Sequence, residues 1–203
     1  SPACSQILAD CAKSEADWVT LIERPRNGGK GAAVIDGFRH ALIQGFSHAI
    51  QIDADGQHQV SDIPKFIDLS RRYPLAMVLG QPVYGAEAPK SRVYGRRITN
   101  FWIRINTLSA AAIADGMCGF RLYPLAAVEQ LLRQNSLAPG MAFDIDIVVR
   151  LYWQGVEALN QSTAVSYPRD GISHFKLWRD NLLISQAHAR LFFGMLWRLP
   201  RLL

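Results

Sequence analysis

The chain has little cysteine. Only Cys4, Cys11 and Cys118 occur in 203 residues. Odd in number and widely spaced, they form neither a disulfide framework nor a metal-ligand pattern, and they suit a reducing compartment. Long apolar runs are also missing. None approaches the ~20 residues that span a bilayer, and no stretch reads as a signal peptide. Acidic residues are outnumbered, 17 against 22 Lys and Arg, for a net charge of +5. That excess is uneven: residues 174–203 carry Lys176, Arg179, Arg190, Arg198 and Arg201 against Asp180 alone. With the basic residues gathered in the tail and no interleaved aromatic-basic patch, a nucleic-acid partner is discounted. Internal repeats and low-complexity segments are absent. What is present is an ordinary globular composition, 49% hydrophobic and 19% charged, enough for one full core.

Apolar runs and turn residues set an element order. Residues 3–14 suit a helix and Asp17–Ile22 a strand. Arg24–Gly29 is a turn-rich loop. A helix follows from Lys30, with Val34, Phe38, Ala41 and Leu42 on one face, and Gly45 ends it. Ala49–Ile52 reads as a buried strand. Ser61-Asp62-Ile63-Pro64 looks like a helix start with Ser61 or Asp62 as cap. Leu75–Gly80 is another strand-length run. Helices are expected at 92–108, 124–134 and 143–153, with one or two strands between Val156 and Tyr167. The β-α-β-α-β order predicts an α/β fold, a mostly parallel sheet with helices on both faces.

Ile52-Asp53-Ala54-Asp55-Gly56-Gln57-His58 closes the second predicted strand. Two carboxylates one residue apart at a strand's C-terminal end can converge on one point, and like charges there need solvent or a cation. A Mg²⁺ or Mn²⁺ ion carrying a diphosphate is the natural partner. Ligands of open α/β sheets bind at this edge. Asp-x-Asp also occurs in plain polar turns. A calcium loop is excluded by spacing, because Pro64 falls where the bidentate Glu belongs.

Four other constellations carry possible chemistry. Asn27-Gly28-Gly29-Lys30-Gly31 opens a helix. Lys30 either meets a ligand anion or sits solvated in a tight loop, and the Walker spacing is absent. Asp115-Gly116-Met117-Cys118-Gly119-Phe120-Arg121 mixes glycines, an acid and a base; Arg121 is either a substrate contact or a salt-bridge partner. Phe143-Asp144-Ile145-Asp146 supplies a second acidic pair, either a general base at an apolar edge or a pair tied up at a helix end. Arg169-Asp170-Gly171-Ile172-Ser173-His174 places an Arg suited to diphosphate oxygens in a Gly-containing loop. Ser-His-Asp hydrolysis fits poorly, since no G-x-S-x-G elbow exists.

These motifs in this order resemble the family 2 glycosyltransferases of GT-A fold, and within them the dolichyl- or polyprenyl-phosphate sugar transferases. The match runs over N-x-G-K-G-A-A, D-A-D-x-Q-H, D-x-x-x-G-F-R-L-Y, F-D-x-[DE] and a late Arg-x-Gly-x-Ser loop, roughly residues 15–180. The resemblance implies inverting, Mg²⁺- or Mn²⁺-assisted transfer of a sugar from a nucleotide-diphosphate donor. By position it assigns Asp53, Asp55 and Gln57 to the metal. Lys30, Asp53, Ala54, Asp55, Arg121, Arg169 and His174 fall on the donor side. Asp146, with Asp144 as the alternative, becomes the acceptor-side catalytic acid. A hydroxyl acceptor needs a base there; a lipid phosphate, already anionic, needs only positioning. The chain departs from the pattern at Gly56, where Leu is commoner. It departs again at Gln81-Pro82, where relatives often have a donor-binding Arg, and at His174, where some have Lys. The family's first strand and acidic turn would precede Ser1, so weak nucleotide binding by these 203 residues is expected.

Residues 1–176 are thus read as the catalytic domain and 177–203 as a basic amphipathic tail. Ile184, Ala187, Leu191, Met195 and Leu199 share one side of it, and Trp178 and Trp197 add interfacial aromatics. Such a helix suits an anionic membrane surface or packs on the core. The expected setting is cytoplasmic, peripheral on the inner membrane face. Transfer to a non-lipid hydroxyl and a degenerate, non-catalytic binding module are the competing readings.

Overall fold

In the computed structural model, residues 2–85, 90–109, 112–138, 140–166 and 177–202 are described. Helix α1 covers Pro2–Ser14 and α2 Gly29–Ile43. Gly45, at φ +79°, turns the chain out of α2 into strand β1, His48–Gln51. A 3-10 turn at Val60–Asp62 leads into α3, Ile63–Arg72. Strand β2 is Met77–Tyr84 and helix α4 Lys90–Thr107. Strand β3, Arg121–Pro124, runs directly into α5, Leu125–Gln134. A 3-10 turn at Gly140–Ala142 precedes α6, Phe143–Trp153. Strand β4, Ala158–Val165, and helix α7, Leu177–Leu202, complete the order.

The four strands lie in the order β1-β3-β2-β4. β2 and β4 pair in parallel, whereas β3 runs antiparallel between β1 and β2. Three strands therefore point one way, as expected, but the sheet is mixed. The reversal follows from connection: the loop leaving α4 reaches the sheet at the end where β1 finishes, so β3 can only run back. It sets Gln51 opposite Arg121.

Alternation along β2 sorts the core into two layers. Met77 and Leu79 face a large cluster with Phe38 of α2, Ile103 of α4, Leu125 and Val128 of α5, and Phe143, Ile145 and Ile147 of α6. Val78 faces the other way, toward Phe66 of α3, Phe120 and Leu122. Phe66 stacks on Phe120 with ring centroids 4.1 Å apart. Helix α7 joins the large cluster through Ile184, Ala187 and Leu191, and Met195 is buried on the same stripe. Its opposite side exposes Trp178, Phe193 and Trp197.

Two local expectations change. Asp17–Ile22 forms no strand: residues 15–18 turn, 19–24 run irregularly, and Trp18 and Ile22 are exposed. β-propensity reports fit to a pleated, paired surface, and no described strand lies alongside this segment. The Asp62 side chain does not cap α3. Its carboxylate instead accepts from Lys65 at 2.7 Å and from Thr163 of β4 at 2.8 Å, and the Lys65 bond first of all pulls its pKa down.

Candidate active site

Because β3 starts where β1 ends, two loops distant in sequence meet at one sheet edge. Asp53 follows β1, and Gly119 precedes β3. A Cβ added at Gly119 would stand 2.0–2.4 Å from the Asp53 carboxylate atoms. Glycine at this position is therefore what lets the carboxylate sit flat against the chain.

Lys30, in the first turn of α2, reaches the same point. Its Nζ lies 2.7 Å from Asp53 Oδ1 and 2.9 Å from Oδ2. The same nitrogen donates to Asp144 Oδ2 at 2.5 Å. Lys30 can approach because Gly31 beside it is buried against Phe143, where a Cβ would stand 2.6 Å from the Phe143 Cβ. The glycines flanking Lys30 thus dock α2 on the start of α6. Of the two readings of this lysine, the solvated one does not hold: its side chain is 17% exposed and bridges two carboxylates.

Asp144 is 2% exposed and saturated. Gln51 Nε2 donates to its Oδ1 at 2.9 Å, and the Arg121 guanidinium stands 3.8 Å from the same oxygen. Arg121 is fully buried. It donates to the Asp144 carbonyl at 2.6 Å, the Cys118 carbonyl at 2.5 Å and the Tyr123 hydroxyl at 3.1 Å. Burial alone would lower its pKa, but Tyr123 and Asp144 carry it above the usual value. Burial pushes the Tyr123 hydroxyl up to about 12. The expectation that Arg121 touches the donor is therefore revised. It is the salt-bridge alternative that the geometry shows, an inner brace holding the start of α6 against β3.

Asp146 points elsewhere. It is 1% exposed, with Oδ2 accepting from the Ala138 N–H at 2.7 Å and Oδ1 from Arg150 Nε at 2.6 Å. Arg150 also donates to Asn135 at 2.9 Å. The structure brings Asp144, not Asp146, to Lys30 and Asp53.

Asp55 is exposed, and its Oδ1 accepts the Gln57 N–H at 3.0 Å, an Asx turn that shapes the loop. Ala54 is exposed beside it, and Gln57 is half-buried. The Ser166 N–H donates to the Gln57 carbonyl at 3.0 Å, and His58 bridges Val165. The acidic loop is thereby stitched to the end of β4. The His58 ring leans on Phe120 at 5.7 Å. Burial lowers its pKa, against the pull of Asp53 and Asp55. Arg169 and His174 lie outside the described residues.

The oxygen donors of Asp53 and Asp55 are of the kind that hold Mg²⁺ or Mn²⁺. Among the described residues no group of three or more His, Cys, Asp or Glu side chains forms a closed metal cage. The donor set fits an ion that completes its shell with water and substrate phosphate.

Sequence reasoning missed one support, Gln51, and named a second, Asp115, without giving it a role. Gln51 is polar within the apolar run Ala49–Ile52, a buried polar residue that asks for a partner. Asp115 anchors the turn before β3, its Oδ1 accepting the Met117 N–H at 2.8 Å and the Cys118 N–H at 2.7 Å, with Arg96 at 2.9 Å.

Known proteins resemble the chain in sequence and in fold. The polyprenol monophosphomannose synthase of Mycolicibacterium smegmatis is 25% identical over 177 residues, covering 85% of this chain and 66% of its own length. The undecaprenyl-phosphate mannosyltransferase of Micrococcus luteus is 26% identical over 153 residues, covering 74% of this chain and 62% of its own. The chain therefore spans less than two thirds of these curated relatives. A solved structure of glucosyl-3-phosphoglycerate synthase from Mycobacterium tuberculosis with Mn²⁺ and UDP-glucose superimposes with a TM-score of 0.53 at 16% identity. It covers 83% of this chain and 55% of that one, a likeness of GT-A fold. The profile of Glycosyl transferase family 2 matches residues 1–132, and the chain belongs to that family.

Proposed function

We propose that this chain carries the catalytic core of an inverting, metal-dependent sugar transferase. Its donor is a nucleotide diphosphate sugar and its acceptor a polyprenyl phosphate. The observation that carries the acceptor class is the state of the two acids at the start of α6. Asp144 is saturated by Lys30 and Gln51, and Asp146 by Ala138 N–H and Arg150. Both acids are already engaged by protein donors, and an acceptor that arrives ionised needs no base. The names of the polyprenyl-linked relatives support the same class.

In this reading an acceptor phosphate oxygen attacks the anomeric carbon. The bond from that carbon to the donor diphosphate breaks, and its electron pair leaves with the nucleoside diphosphate. Asp55 and Asp53, with Gln57 beside them, would hold Mg²⁺ or Mn²⁺, which neutralises charge developing on the diphosphate. Asp144, braced by Arg121 from behind, keeps Lys30 aimed at the diphosphate side. Arg169 and His174 take the basic donor-side roles that the family pattern gives them.

The membrane side of the proposal rests on two adjacent helices. α4 exposes Tyr94, Ile98 and Phe101, and α7 exposes Trp178, Phe193 and Trp197; the exposed Arg97, Arg104 and Arg190 flank them. Aromatics with basic residues suit an anionic bilayer surface. No helix among the described residues is long and apolar enough to cross a membrane.

The test is transfer from labelled nucleotide sugars by the full-length protein, offered polyprenyl phosphate and soluble hydroxyl acceptors in parallel. Product on the lipid phosphate, dependent on Mg²⁺ or Mn²⁺, is expected. Product only on hydroxyl acceptors defeats the acceptor class, and no transfer to either supports a non-catalytic module.

A further inference from the structure

We propose that Lys30 is a built-in cation of the donor carboxylate, which a divalent ion must displace from Asp53, and that Asp144 is the site to which it retreats. This rests on Asp53 and Asp55 being the metal side of the site, as proposed above.

Geometry carries the argument. The Lys30 ammonium touches both oxygens of Asp53, at 2.7 and 2.9 Å. Behind Asp53 the carboxylate is backed by Gly119, which closes off withdrawal from the lysine on that side. Asp53 therefore cannot offer both oxygens to another cation while Lys30 stays. The second contact gives the ammonium somewhere to go. Asp144 Oδ2 lies 2.5 Å from the same nitrogen, and this carboxylate stays fixed by Gln51 at 2.9 Å whether or not Lys30 also holds Asp53. A shift of the flexible lysine stem toward Asp144 opens Asp53 and leaves no carboxylate bare. Counting formal charges, Asp53, Asp55 and Asp144 carry three negatives against the two positives of Lys30 and Arg121. A divalent ion turns that balance positive, which suits a diphosphate. The lysine keeps the acids neutralised before the ion arrives and joins the cationic wall once it has. Metal loading on one side is thereby coupled to the acceptor-side acid on the other.

The experiment measures Mn²⁺ alone, without nucleotide, by electron paramagnetic resonance titration of the free ion. Lys30→Met should bind Mn²⁺ roughly tenfold more tightly than wild type, the scale of one nearby unit charge at a partly exposed site. Asp144→Asn should weaken binding a few-fold in wild type, because Lys30 then settles on Asp53. In the Lys30→Met background that weakening should vanish. A general field effect of Asp144 would persist there, so the double-mutant cycle separates the two. Unchanged or weaker Mn²⁺ binding in Lys30→Met overturns the proposal while leaving the metal site standing. Absence of Mn²⁺ binding in Lys30→Met as in wild type overturns the proposal as well. Should Lys30→Met fail to fold, the wild-type protein still answers. Acetylation of Lys30, followed by mass spectrometry, should rise at least about twofold on adding Mg²⁺, and unchanged reactivity overturns the proposal.

Discussion

Two Asp-x-Asp pairs with identical spacing behave differently. Asp53 and Asp55 lie in the loop leaving β1, where one acid turns inward to Lys30 and the other stays exposed to solvent. Asp144 and Asp146 lie in the first turn of α6, where residues two apart point about 200° away from each other. One enters the site and the other is locked to Arg150. The same pattern thus provides a site edge when it leaves a strand, and one site residue plus one structural anchor when it opens a helix. The spacing has meaning only together with the backbone period that carries it.

In the proposed function a loop acid is a chemical part and Asp146 a structural one. The largest expected effect is on Asp55. Asp55→Ala should lower transfer by about a thousandfold, the range for losing a charge-stabilising group, with the unfolding midpoint nearly unchanged. Next, Gly119→Ala should lower transfer about a hundredfold, because its Cβ would collide with the Asp53 carboxylate. Circular dichroism should remain that of the native fold, and full activity would show that Asp53 has room the geometry denies. Asp146→Ala should instead lose about 3–5 kcal/mol in urea unfolding, as for a buried pair with one partner removed, while the folded fraction retains transfer. Transfer abolished in folded Asp146→Ala protein would erase the distinction between the two helix acids.

A smaller effect lies far from both pairs. His188, between α4 and α7, is 5% exposed, and burial holds its pKa down to about 4 from 6.5. Its folded pKa lies below the unfolded one, so the unfolded chain binds the extra proton between pH 6.5 and 4. Stability should be full above pH 6.5 and fall by up to about 3 kcal/mol as pH drops toward 4. His188→Leu should flatten that part of the urea-midpoint profile. An unchanged slope would place the acid sensitivity elsewhere.

Much of the architecture was legible in sequence. Helix α6 begins and ends where its pattern predicts, because Phe143 starts an apolar-rich stretch, interrupted by Asp144, Asp146 and Arg150, that Gly155 closes. Of the stripe Ile184, Ala187, Leu191, Met195 and Leu199, read as facing either a membrane or the core, the first four are buried in the fold and Leu199 is half-buried. Asp53 stood out because carboxylates closing an apolar strand are expensive to bury. Neither β3 nor its reversal was legible, because a four-residue strand that opens on Arg121 at the end of a glycine-containing loop marks neither its existence nor its direction. Without it, neither the Gly119–Asp53 packing nor the inward role of Arg121 could be foreseen. The Lys30–Asp144 bridge was likewise hidden, since it joins residues 114 positions apart and no local pattern encodes such pairs. Asp17–Ile22 misled for the opposite reason: its residues favour a strand, but strands are made by neighbours.

The seam between β1 and β3 has a consequence for how this site comes into being. Gln51 and Arg121 face each other across 70 residues of chain, so their pairing requires closing a long loop, and the entropy lost in that closure is offset only when the sheet is whole. Chains still folding carry Asp53 and Asp55 without the groups that orient them. The site cannot mature piecemeal; its assembly and the closing of the sheet are one event.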